Sequence, residues 1–312
     1  MLIMCLKNLN RYVNYKNLNG KFMLMNMLIF RKTLILFVIL IDVSLCTAQG
    51  YKSGNSNVGN PAFQWPEGIK MAISFTFDDA RLSQIDQCIP LLDQYGVKGT
   101  FYVSIDNLIN RVEAWQQAVK NGHDIGNHTM EHPCARNFGW TGEHALEKYT
   151  LSKMEGELDS ANQAIEAILG VKPVSFAYPC GQTYVGEGID TKSYVPLIAA
   201  KFETGRTWMD EEPNDPSLCN FFQLTGIKLD GKSFEDVKLI IESAKNTGKW
   251  LILAGHETTD ADNNDSLTSF LSTIEAICQY AEDPANGIWI DNIHQITSYI
   301  KRYRVGKTPA KQ

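Results

Sequence analysis

Two adjacent aspartates, Asp78 and Asp79, close an apolar run that begins at Met71, and two histidines, His128 and His132, stand four residues apart further along. A third histidine, His256, follows a second apolar run, Leu251-Ile252-Leu253-Ala254-Gly255. Imidazoles at that spacing share one face of a helical turn, so His128 and His132 are expected to reach a single cation. One carboxylate added to two neutral imidazoles makes a three-ligand site with positions left for water and substrate. Such a site suits hydrolysis, because the cation lowers the pKa of a water and polarises a carbonyl. A second carboxylate beside it can take the proton from that water. The aspartate pair supplies both groups, and His256 is expected to protonate a leaving group from across the site. Taken singly, each residue has a plainer explanation: aspartates cap helix starts, and a histidine at a strand end is often only hydrogen-bonded. The conjunction argues for metal-assisted hydrolysis. The His-Glu-x-x-His pattern of zinc proteases is absent, since Thr129 follows His128 and Glu131 directly precedes His132.

These residues need a scaffold that gathers distant chain positions. From residue 69 onward, apolar β-prone runs alternate with helical patterns. Residues 71–77, 97–103, 124–126, 174–178 and 249–254 read as strands. Residues 84–95, 111–120, 143–169, 194–200, 266–281 and 293–303 read as helices. Strand–helix alternation predicts an α/β fold with a parallel sheet and right-handed crossovers, and over this length a (β/α) barrel rather than an open sheet. The reactive residues fall at the carboxyl ends of the expected strands, where a parallel barrel builds its site. One domain is expected over 67–303, followed by a tail at 304–312.

Ahead of the domain, Arg31 and Lys32 precede the apolar run 34–41, and the segment that follows it ends at the small residue Ala48. A basic flank, a short apolar core and a small final residue make residues 1–48 an N-terminal extension with a signal peptide. Residues 49–66, rich in Gly, Ser, Asn and Pro, read as a linker. The expectation is an exported protein, periplasmic or extracellular, without a stable membrane span once the signal is cleaved. Lipid attachment at Cys46 is the less favoured alternative. Of 29 Lys plus Arg and 35 Asp plus Glu, residues 1–48 hold six and one, so the remainder carries 23 minus 34, or −11. So acidic a body has no general attraction for nucleic acid. Five cysteines remain beyond residue 48, irregularly spaced, so no disulfide framework or zinc ribbon is implied. Most read as buried thiols, and Cys134 with Cys180 can pair if their loops meet.

In order and context, these motifs resemble the NodB-homology polysaccharide deacetylases, carbohydrate esterase family 4, over about residues 68–302. Thr76-Phe77-Asp78-Asp79 resembles the family's first motif, which implies Asp78 as catalytic base and Asp79 as metal ligand. His128-Thr129-Met130-Glu131-His132 matches its His-(Ser/Thr)-x-x-His motif, which implies His128 and His132 as the other ligands. His256 falls where the family keeps a catalytic acid. The resemblance implies a distorted, seven-stranded barrel and one divalent metal, Zn²⁺ in first place with Co²⁺ or Ni²⁺ also suited. It further implies an acetylated carbohydrate substrate with N- or O-linked acetyl groups. The sequence departs from the family at Ala177-Tyr178-Pro179-Cys180, where Arg-x-Pro-(Tyr/Phe) is usual. The arginine that orients the base is missing, and Cys180 offers only its backbone N–H to an oxyanion. Arg206 is the candidate replacement for the guanidinium. Tyr178, Trp208 and Trp140 are candidate sugar-stacking residues. His123, His144 and His294 read as structural, His144 and His294 with no acidic neighbour that suggests a role. Two other readings stay open: a catalytically degenerate carbohydrate-binding protein on this scaffold, marked by Ala177, and a non-sugar amidohydrolase.

Overall fold

The structure is a computed structural model, and it describes residues 63–261 and 266–306. The expected signal peptide, the linker up to residue 62 and the tail from residue 307 lie outside the described residues. Seven strands run parallel in one curled sheet. In chain order they are β1 (Met71–Asp78), β2 (Thr100–Val103), β3 (Asp124–Asn127), β4 (Ser175–Ala177), β5 (Thr204–Arg206), β6 (Ile227–Lys228) and β7 (Trp250–Gly255). Their order across the sheet is β5-β4-β3-β2-β1-β7-β6, and a short β8 (Ile288–Ile290) pairs with the first half of β1. The two edges meet at a single parallel bridge between Arg206 and Leu224, just ahead of β6. The expected distorted seven-stranded α/β barrel is therefore what the chain forms.

Parallel strands covered on both faces need continuous apolar runs rather than alternation. All eight residues of β1 and all six of β7 are buried. Phe77 stacks on Phe101 of β2, and Phe101 meets Trp115 edge-on from helix α2 (Val112–Lys120). Each such ring contributes about 1.5–3 kcal/mol by burial. The ladder registers level the strand ends: Phe77 pairs with Gly255, Asp78 with Tyr102, Val103 with Asn127, and Ala177 with Arg206. The carboxyl termini of these strands thus open onto one mouth.

Several boundaries differ from the sequence reading. The stretch expected to be helical from residue 143 starts as two tight turns, and helix α3 begins only at Leu151 (Leu151–Leu169). Thr150 sets that start by accepting a hydrogen bond from the Lys153 N–H, and Gly170, left-handed at φ 73°, ends it. The helix expected from residue 266 starts at Leu271, because Thr268–Ser269 first pairs with Glu257–Thr258. Strand β6 and the capped helix Phe234–Thr247 did not register as elements in the sequence. Phe63 and Trp65, counted with the linker, instead pack on Tyr299, and the Trp65 indole donates to the Gly248 carbonyl. Among the described residues, no helix is long and apolar enough to cross a membrane.

Candidate active site

Asp78 ends β1 with its side chain buried, and the next two residues turn the chain sharply in left-handed conformations, Asp79 at φ 76° and Ala80 at φ 53°. That turn is held by the Asn107 amide, which donates to the Asp79 carbonyl at 2.8 Å, and by the Asp79 N–H, which donates to the Tyr102 carbonyl. It sets the two carboxylates to different tasks. Asp78 forms a buried ion pair with Arg206 at the end of β5. Asp79 points one oxygen between two imidazoles, 3.8 Å from His128 Nε2 and 3.9 Å from His132 Nε2.

The loop that carries the histidines is not a helical turn, contrary to the expectation. Thr129 and His132 are left-handed, at φ 67° and 45°, and the rings converge because side chains fold the loop back. The Asn127 side chain accepts from the Thr129 N–H at 2.7 Å, and the Thr129 hydroxyl accepts from the His132 N–H at 3.1 Å. Glu157 of α3 accepts from the N–H groups of Met130 and Glu131, both at 3.0 Å. His128 Nδ1 lies 2.9 Å from the Ala177 carbonyl, which accepts its proton and leaves the Nε2 lone pair facing Asp79. Burial and the neighbouring His128 push the His132 pKa down to about 4, so its ring is a free base at neutral pH. Ligand atoms of Asp79, His128 and His132 all lie within 4.8 Å of one another. The carboxylate–imidazole separations of 3.8 and 3.9 Å sit inside the ~4.2 Å that a pair of ~2.1 Å bonds spans, so this donor set fits a divalent cation.

Burial alone would raise the Asp78 pKa, but Arg206, His128 and His256 together reverse that and hold the carboxyl below its ordinary 3.8. Arg206 therefore supplies a guanidinium partner for Asp78 that the sequence at Ala177 lacks. It reaches Asp78 past Gly226, where a Cβ would stand 2.6 Å from the Arg206 side chain, and it lies 5.0 Å from the Tyr102 ring. His256 Nδ1 bonds Asp230 at 2.8 Å, while the other Asp230 oxygen accepts from the His256 N–H and from the Ser269 hydroxyl. Burial would lower the His256 pKa, but the Asp230 hydrogen bond and the charges of Asp78 and Asp230 outweigh it, and the pKa rises above 6.5. Gln84 joins the two halves by donating to the carbonyls of Asp78 and His256.

Sequence reasoning missed Asp230 and Gln84. Asp230 was legible only through β6, which it follows by two residues, and that strand is too short for periodicity to show. The Gly226 and Gly255 approaches carried no signal either; at Gly255 a Cβ would meet the Ser269 hydroxyl at 2.1 Å. Trp208 packs edge-on against His256 at 4.7 Å, and Trp140, 62% exposed, lies 5.8 Å from the His132 ring. Tyr178 is not a groove residue: it is 1% exposed, packed between Phe176 and Tyr194, and its hydroxyl donates to the Phe222 carbonyl. The three remaining histidines do have acidic neighbours, supplied by distant segments: His123 by Asp93 at 3.2 Å, His144 by Glu131 at 3.5 Å and His294 by Glu203 at 3.8 Å. The loops of Cys134 and Cys180 meet, and the two form a disulfide; Cys88 and Cys278 are buried thiols and Cys219 is half-buried.

The profile of the polysaccharide deacetylase family matches residues 67–187, which include Asp78, Asp79, His128, His132 and Cys180. A peptidoglycan-N-acetylglucosamine deacetylase of Bacillus cereus is 38% identical over 80 residues, 25% of this chain and 37% of that protein. Chitin deacetylase 1 of Cryptococcus neoformans is 27% identical over 142 residues, 45% of this chain and 28% of that protein. The matched stretches thus span only 37% and 28% of these two curated relatives. A solved structure from Mycobacterium smegmatis superposes with a TM-score of 0.54 at 17% identity, over 80% of this chain and 96% of that one. That superposition shows the shared fold.

Proposed function

We propose that this chain, whose residues 67–187 match the profile of the polysaccharide deacetylase family, is a metal-dependent hydrolase that removes acetyl groups from a polymer or oligosaccharide of N-acetylglucosamine. The observation that carries this reading is a convergence at one mouth. An arginine-paired carboxylate, a separate three-donor set and a carboxylate-backed imidazole stand together there. Asp79, His128 and His132 are the residues that would hold the cation, with zinc in first place and cobalt or nickel suited to the same donors. When bound, the cation supplies a Lewis acid that lowers the pKa of a water and polarises an acyl carbonyl.

The chain's own residues supply the rest. Asp78, kept ionised beside Arg206, accepts the proton of the attacking water. Arg206 fixes the carboxylate so that its other oxygen faces the site, 4.0 Å from His128 Nε2. The backbone N–H of Cys180 is assigned to the developing oxyanion. His256, whose raised pKa increases its protonated share, gives a proton to the sugar nitrogen as the C–N bond breaks, yielding acetate and a free amine. Trp208 and Trp140, beside the acid and a ligand histidine, are assigned to stacking on sugar rings.

The preference for N-acetyl over O-acetyl groups is supported by the likeness to a chitin deacetylase and a peptidoglycan-N-acetylglucosamine deacetylase. Residues 1–48 are assigned as a signal peptide, so the glycan is met outside the cytoplasm. The degenerate-scaffold reading rested on the missing motif arginine; the Arg206–Asp78 pair removes that ground. The test is acetate release from chitooligosaccharides, peptidoglycan fragments and acetylated xylan, with chelator and after zinc is restored. Release that chelator abolishes and zinc restores is expected, strongest on the N-acetylated substrates. No acetate from any of the three defeats the proposal, and preference for xylan redirects it to ester cleavage.

A further inference from the structure

The loop between His128 and Thr141 contains no helix or strand, yet it carries the ligand His132. Packing alone does not fix that ring, whose side chain is 31% exposed and whose backbone is held in the sparsely populated left-handed region. Two ties join the far side of the loop to the turn after β4. One is the Gln182 side chain, which accepts from the Ala135 N–H at 2.7 Å. The other is covalent, between Cys134 and Cys180. Cys134 is fully buried and sits two residues from His132, with its sulfur 3.7 Å from His132 Nδ1. Cys180 is itself left-handed at φ 53°, and the next residue, Gly181, lies under Trp208 so closely that a Cβ would stand 2.8 Å from the Trp208 nitrogen. One bond therefore ties a ligand imidazole, the backbone assigned to the oxyanion and the base of the Trp208 loop.

We propose that the Cys134–Cys180 disulfide is a positioning bond of the active site, holding His132 at the cation-binding position and Cys180 at the reacting carbonyl. Cutting it lowers metal affinity and turnover in a protein that stays folded. Neither cysteine belongs to a core cluster: of the residues between them, those in the clusters come from Leu146 onward, and the Leu146 N–H already donates to the Cys134 carbonyl at 3.0 Å. The turnover half of the proposal rests on the deacetylase reading; the metal-affinity half does not.

The test compares the oxidised protein with the double variant C134S/C180S, cobalt(II) alone being titrated by calorimetry and by its visible absorption. Serine is chosen because two released thiols with His132 Nδ1 would make a soft metal site of their own, their donor atoms lying within 4.8 Å. Both forms are checked by circular dichroism at the working temperature. The expected result is a cobalt affinity at least ~10-fold weaker with an altered visible spectrum, and a kcat for acetate release at least ~10-fold lower. Should the variant not fold, native protein reduced with a phosphine and then methylated at both thiols, so that no thiolate is left to bind cobalt, gives the comparison. The phosphine attacks one sulfur, water supplies the oxygen of the phosphine oxide, and two electrons and two protons end on the two thiols. Cobalt affinity and spectrum within twofold of the oxidised protein, or a change confined to the melting temperature, overturns the proposal. If the oxidised protein releases no acetate, the deacetylase reading fails while the cobalt comparison still decides this one.

Discussion

The two sides of the mouth are built differently. The proposed base and acid, Asp78 and His256, sit on or just beyond the ends of fully buried strands, each locked by an opposite charge: Arg206 for one, Asp230 for the other. The outer proposed ligands, Asp79 and His132, sit on left-handed turns, partly exposed, and are held by loop hydrogen bonds and a disulfide. The proton-transfer groups need fixed protonation states, which burial beside a paired charge supplies. The ligands need mainly to be neutral or anionic and near one another, which a braced loop supplies. Damage on the first side should appear in pH profiles and stability; damage on the second should appear in metal binding.

The largest effect expected is that of Asp78→Asn. It removes the proton acceptor while leaving Asp79, His128 and His132 in place, so kcat should fall about 10³-fold with metal content unchanged. Metal analysis and acetate release on the same sample check both halves. Next comes Arg206→Met, which leaves a buried carboxylate unpaired and should cost about 3–5 kcal/mol of stability by denaturant titration. The Asp78 pKa is lowered in the fold, so the pair's contribution is complete above 3.8 and fades as pH falls through the folded value. In the methionine variant that pKa rises, and the acid limb of the rate profile should move to higher pH. Smaller is Asp230→Asn. The His256 pKa is raised, so its acid form is lost as pH climbs past the folded value; without the carboxylate the basic limb should move to lower pH, with kcat about 10-fold down. Smallest is Trp140→Ala, at a residue too exposed to support the core: KM should rise a few-fold, with stability within about 0.5 kcal/mol.

What could be read in advance follows the same division. Asp78, Asp79, His128, His132 and His256 lie in short contiguous motifs beside long apolar runs, so both their identity and their placement at strand ends were legible. Their partners were not. Arg206 is 128 residues from Asp78 in the chain, and only the gap at Ala177 called for a guanidinium from elsewhere. Asp230 follows a two-residue strand, and Gln84 lies in a π-helical turn, neither of which leaves a periodic trace. The spacing of His128 and His132 foretold that they meet, but not how: the helical face inferred from it is replaced by two left-handed residues that Asn127 and Thr129 stabilise. Tyr178 misled because a tyrosine at a strand end looks the same in sequence whether its ring lines a groove or fills the core.

The most direct test of the central claim is anomalous diffraction at the zinc edge from crystals grown with zinc. One strong peak bounded by an Asp79 oxygen and the Nε2 atoms of His128 and His132 is the predicted result. Zinc bound elsewhere, with those three side chains turned away from one another, would contradict it.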